Sequence, residues 1–112
     1  MINVAVIGSR TFEDYIYLSK VLDVIKHKVG YIVSGGARGA DSLAHLYAED
    51  NGIKTIIHKA QWDKYGKSAG YIRNKLIIDD CDVVIAFWDG KSKGTKHSID
   101  LAKKQGKKVI IC

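Results

Sequence analysis

Apolar residues along the chain fall in short continuous runs rather than in strict alternation. Valine- and isoleucine-rich runs recur at "INVAVI" (2–7), "YIVS" (31–34), "KTIIH" (54–58), "DVVIAFW" (82–88) and "KKVIIC" (107–112). Such runs are expected of strands covered on both faces, as in a parallel sheet. Between them the apolar spacing becomes helical. Leu18, Leu22 and Ile25 repeat at i, i+4, i+7, and "TFED" gives a capping-box-like start at Thr11. A second helix over roughly 40–51 stops at "NG", and a third over roughly 69–80 carries Ile72 and Leu76 on one face. A fourth, over roughly 95–105, starts at Thr95 and ends at Gly106. Five strands alternating with four helices describe a βαβαβαβαβ chain. Right-handed crossovers make of it an open parallel sheet with helices on both sides. With no linker, repeat or proline to divide it, residues 1–112 form one α/β domain.

Composition narrows this only slightly. A chain of 112 residues buries a core without metal or disulfide staples. Its 46% hydrophobic and 27% charged residues are globular values and exclude a disordered class. The run "VVIAFW" is too short to cross a bilayer, and Met1 leads into "INVAVIG" without a basic n-region or cleavage site. No membrane partner and no signal peptide are therefore expected. Cys81 and Cys112 lack any CxxC or Cys/His spacing, which points to reduced thiols in a cytoplasmic protein. His27, His45, His58 and His97 share no ligand spacing, so neither a metal nor a resident cofactor is expected.

The formal charge of +6 raises the question of nucleic acid, and its distribution matters more than its sum. Lysines are scattered along the chain and crowd only toward the C-terminus. The arginines, Arg10, Arg38 and Arg73, all lie near glycines, in "GSR", "GGARGA" and "AGYIRN". Lysine is the usual residue of a solvated coat, whereas the planar guanidinium suits phosphate and carboxylate. The arginines are site candidates, and a structural salt bridge is the competing role for each.

Three polar, glycine-bearing loops follow strands and open helices: "GSRT" (8–11), "SGGARGAD" (34–41) and "DGKSKGT" (89–95). Helix N-termini offer unpaired N–H groups and a positive dipole end, which favour phosphate. Ser9, Ser34, Ser92 and Thr95 add hydroxyls. In open parallel sheets such loops converge beyond the carboxyl ends of the strands. Two nucleotide motifs fail. "GKS" at 66–68 ends like a Walker A loop, but position 61 is Gln; GxGxxG fails because position 34 is Ser. Trp62, Tyr65, Tyr71 and Trp88 could stack on a base, although packing of the loop on the sheet is the favoured role.

Taken together, "GSRTF", "VSGGARGADSLA", "WDKYGKSAGYIRN" and "DVVIAFWDGKSKGT" resemble the YspA-like branch of the SLOG superfamily. That superfamily also holds the LONELY GUY phosphoribohydrolases and Smf-type DNA-processing proteins. The resemblance implies a Rossmann-like sheet of order 3-2-1-4-5, a pocket for a nucleotide or nucleotide-derived ligand, and a homodimer. It places Gly8, Ser9 and Arg10 beside the ligand, and Gly35, Gly36, Arg38, Gly39 and Asp41 in a second ligand loop. Arg73, followed by Asn74, falls where the hydrolases have an arginine near the scissile bond. Ser92, Gly94 and Thr95 stand in the phosphate cradle. The hydrolases place a catalytic glutamate three residues after the threonine, where this chain has Ser98. Serine cannot stabilise positive charge at a ribose carbon or activate water as a carboxylate does.

Binding of a phosphate-containing nucleotide derivative, as sensor or sequestering protein, is therefore the leading expectation. A nucleotide hydrolase, with Asp41 or Asp89 as the carboxylate, is the first alternative. A nucleic-acid-binding module is the second.

Overall fold

The computed structural model describes residues 1–112. Five parallel strands, β1 (Ile2–Gly8), β2 (Val29–Ser34), β3 (Lys54–Ile57), β4 (Val83–Phe87) and β5 (Lys108–Ile111), form one sheet of order β3-β2-β1-β4-β5. The helices are α1 (Tyr15–Asp23), α2 (Ala40–Asp50), the single turn α3 (Trp62–Tyr65), α4 (Ala69–Asp79) and α5 (Lys93–Lys104). The topology is the one the resemblance implies.

The continuous apolar runs split by alternation between two cores. Val4 and Val6 of β1, Ile32 of β2, and Ile85 and Phe87 of β4 pack with Leu18 and Leu22 of α1 and with Ala44, Tyr47 and Ala48 of α2. Ala5 and Ile7, Val33, and Val84 and Ala86 point the other way, onto Ile77 and Ile78 of α4 and Ile99 and Ala102 of α5. Because both faces are covered, both halves of the alternation must be apolar, and the strands read as unbroken runs. No helix is long and apolar enough to cross a membrane.

Two local expectations need correction. The first helix does not start at Thr11. The Asp14 carboxylate accepts from the Tyr17 N–H at 3.0 Å and caps α1. Residues 9–12 instead form a turn closed by Phe12 N–H to the Ser9 carbonyl at 3.1 Å, with the Phe12 ring 4.8 Å from that of Phe87. Aspartate is preferred to threonine at a helix N-cap, and the Phe12–Phe87 contact holds the preceding turn out of the helix. The second correction concerns α4. Ile72 and Leu76 face outward, 37% and 45% exposed, while Ala69, Asn74, Ile77 and Ile78 form the buried side. α4 is apolar around most of its circumference, so the i, i+4 pair alone did not identify the inner face.

Candidate functional site

Strand order reverses between β1 and β4, and the glycine-bearing loops meet at their carboxyl ends. Ser9 ties them together. Its carbonyl accepts from the N–H groups of Phe12 and Ala40, at 3.1 and 3.3 Å, and its own N–H donates to the Phe87 carbonyl at 3.1 Å. Its hydroxyl accepts from the Asp89 N–H at 3.1 Å. Such contacts need the second loop to press closely on the first. Gly39 has φ +77°, and a Cβ there would lie 2.3 Å from the Ser9 carbonyl oxygen. Gly35 lies under Arg73, where a Cβ would meet Nη1 at 2.5 Å. Glycines in "VSGGARGAD" thus let two loops and an arginine close on one another.

The resulting cleft has a volume of about 460 Å³. Gly8, Ser9, Arg10, Asp41, Arg73, Asn74, Ser92, Gly94 and Thr95 line it, as do Asp89 and Ser98. The other residues singled out in the sequence lie elsewhere. Ser34 is buried at the end of β2, and Gly35 and Gly39 support the neighbouring loops. Gly36, at φ +68°, turns the chain, and Arg38 is exposed outside the cleft.

A polar chain crosses the site. Arg73 Nη1 donates to the Gly35 carbonyl at 3.0 Å and Nε to Asn74 Oδ1 at 3.1 Å. Asn74 Nδ2 in turn donates to the Gly94 carbonyl at 3.2 Å and lies 3.3 Å from His97 Nδ1. Arg73 and Asn74 thereby join the β2 loop to the start of α5, while Arg73 keeps Nη2 free of protein partners. None of the three arginines belongs to any of the chain's ion pairs. The salt bridge weighed as their competing role is absent.

The N-terminus of α5 is open. Ser92 stands at the N-cap, but no side chain caps the first turn, and the Ser92 hydroxyl lies 3.2 Å from that of Thr95. The first turn carries no acidic residue. Asp89 belongs to the loop before it and accepts from the Lys91 and Ser92 N–H groups, both at 2.8 Å, which hold its carboxyl below the usual range. Free amides and the dipole make this end of α5 receptive to an anion.

Asp41 is buried, and burial pushes its carboxyl up against the opposing N–H bond from Ala37 (3.1 Å) and the nearby Arg73 and Arg10. A folded-state value above the unfolded one makes the native state bind more protons over that interval. Stability contributed at this position therefore falls as pH rises from about 3.8 through the raised value, and is level above it. Chemical denaturation between pH 3.5 and 7 is expected to show this decline in the parent relative to Asp41→Asn. A difference that stays constant with pH would contradict it.

Trp62 and Tyr71 line the cleft and are 52% and 51% exposed, so each covers part of the connection and leaves about half of its surface open beside the cleft. Lys67, from the rejected "GKS", lines it as well. The available signal was the alternation of aromatic and lysine residues from Lys59 to Tyr71.

Comparisons with known proteins agree with this architecture. The YspA, cpYpsA-related SLOG family (YAcAr) matches residues 2–65, and the chain belongs to that family. The Gene 61 protein of Mycobacterium phage D29 is 36% identical over 98% of this chain and 95% of its own length. Among solved structures, DNA processing protein A from Streptococcus pneumoniae superposes with a TM-score of 0.84 at 26% identity, over 99% of this chain and 50% of that one. DNA processing protein A from Helicobacter pylori, described for its single-stranded DNA binding mode, superposes at 0.76 with 25% identity, over 98% and 64%. The chain thus spans half to about two thirds of those structures' length.

Proposed function

We propose that the cleft binds one phosphate-bearing nucleotide unit. The open N-terminus of α5 and Thr95 take the phosphate, Arg73 and Arg10 supply positive charge, and Trp62 or Tyr71 offers a face to the base. One observation carries this reading: an uncapped helix N-terminus and two arginines outside any ion pair line the same cavity. Its volume of about 460 Å³ is in the range of small-ligand sites. Asp41 and Asp89 already accept backbone N–H groups, and Ser98 lines the cleft where hydrolases carry glutamate, so the reading is binding without turnover. The unpaired cysteines Cys81 and Cys112 support a reducing, cytoplasmic setting.

The unit can be free or part of a strand. The likeness to DNA-processing proteins supports single-stranded nucleic acid more than a free nucleotide ligand, reversing the order in which the sequence ranks them. Calorimetric titration with nucleoside monophosphates, ADP-ribose and short oligothymidylates, at two salt concentrations, tests both readings. Oligonucleotides are expected to bind more tightly, with log K falling steeply against log salt as counterions are released. ADP-ribose or a monophosphate binding more tightly than any oligonucleotide would restore the free ligand. Binding of neither would overturn the assignment.

A further inference from the structure

A second hollow, of about 510 Å³, opens between α4 and α5 and is lined by Tyr71, Lys93, Lys96, His97 and Asp100. Tyr71 belongs to both cavities. Its ring meets that of His97 edge-on, with centroids 4.6 Å apart and planes at 65°. His97 is held in turn by Asn74, which lines the first cleft, at 3.3 Å. The aromatic wall of the hollow is therefore positioned by a side chain of the cleft. Lys93 enters no ion pair. Lys96 pairs with Asp100 at 2.7 Å, but both side chains are more than half exposed, so the pair is weak in water and a phosphate can displace the carboxylate.

We infer that this hollow is a second nucleotide subsite, continuous with the cleft over Tyr71, so that the protein takes two successive nucleotides of a single strand. The second base lies against the Tyr71–His97 pair, and its phosphate is met by Lys93 and Lys96. A mononucleotide in the cleft makes no use of Lys93 and Lys96, which line only the second hollow, whereas a strand leaving the cleft over Tyr71 meets both. Stacking on exposed aromatics tolerates any base, so the subsite selects for chain length rather than sequence. This inference rests on the nucleotide-unit reading of the cleft.

The test is the affinity of thymidine monophosphate and of oligothymidylates two to four nucleotides long, measured calorimetrically on the parent, Lys96→Gln and Asp100→Asn. A rise of at least ~fivefold from one nucleotide to two is expected in the parent, the lower end of what one stacked base contributes. Lys96→Gln is expected to remove most of that rise, and Asp100→Asn to enlarge it, with the monophosphate affinity unchanged in both. Opposite effects from the two halves of one ion pair separate phosphate contact from a structural role, which would move both variants the same way. A monophosphate that binds without any rise to the dinucleotide overturns the second subsite alone, as does a rise that neither variant alters. Failure of every nucleotide to bind overturns the cleft assignment and this inference together.

Discussion

Arg73→Ala is expected to weaken nucleotide binding about 10- to 150-fold, because hydrogen bonds to a charged partner are worth about 1.5–3 kcal/mol each. The substitution also removes the bonds to Gly35 and Asn74 and leaves the buried Asp41 carboxylate with less positive charge nearby. A fall in stability accompanies the loss of binding. The two effects separate in the double variant Arg73→Ala/Asp41→Asn. Removing the carboxylate restores much of the stability, whereas the guanidinium needed for the phosphate is still missing and affinity stays low. Arg73→Lys is expected to recover little binding, since an ammonium cannot span the Gly35 carbonyl, Asn74 and an anion as the planar fork does. Thermal melts and titrations on the four proteins decide this. Full affinity in a folded Arg73→Ala protein would remove Arg73 from the site.

Gly39→Ala is expected to be the most damaging single methyl group in the chain. Its backbone, at φ +77° and ψ −128°, is in a region essentially confined to glycine. The added Cβ would lie 2.3 Å from the Ser9 carbonyl oxygen and 2.6 Å from that of Arg10, both backbone atoms that cannot rotate away. Strain and overpacking together amount to about 3 kcal/mol. For a domain of this size that lowers the melting temperature by about 10–20 °C. Gly35→Ala offers a contrast. There the close neighbour is the Arg73 side chain, which can shift, so the expected loss is of ligand affinity with a smaller change in melting temperature. A melting temperature within two or three degrees of the parent for Gly39→Ala, about what a change under 1 kcal/mol gives, would show that the loops are not interlocked as described.

These two glycines also explain what the sequence disclosed and what it did not. Strand runs rich in valine and isoleucine, separated by helical spacing, disclosed the three layers, because a sheet covered on both faces needs apolar residues at every position. Three glycine loops at strand ends disclosed the edge at which the cleft opens. The role of those glycines was not legible. Gly35 and Gly39 serve contacts with Arg73 and Ser9, which are 38 and 30 positions away in the chain and become neighbours only through the sheet order. Arg38 looked equivalent to Arg10 and Arg73 because all three adjoin glycine, yet loop direction leaves it outside the cleft. Ile72 and Leu76 misled because an i, i+4 pair marks a face only when the opposite face is polar, and α4 buries Ile77 and Ile78 as well. Trp62 and Tyr71 have the composition of packing residues, and only their exposure beside the cleft assigns them to it.

The central claim is that one cleft, walled by Trp62 and charged by Arg73, receives the nucleotide unit. Of the chain's two tryptophans, Trp88 donates its indole N–H to the Ser92 carbonyl at 3.0 Å, whereas Trp62 is 52% exposed and free to meet a ligand. The most direct measurement is fluorescence titration of a Trp88→Phe protein, in which Trp62 alone reports, with thymidine monophosphate and oligothymidylate, in the presence and absence of Arg73→Ala. Saturable quenching that weakens by at least tenfold with Arg73→Ala is the predicted result. Binding detected by calorimetry that leaves Trp62 emission unchanged, and is indifferent to Arg73, would place the ligand elsewhere on the protein and contradict the account.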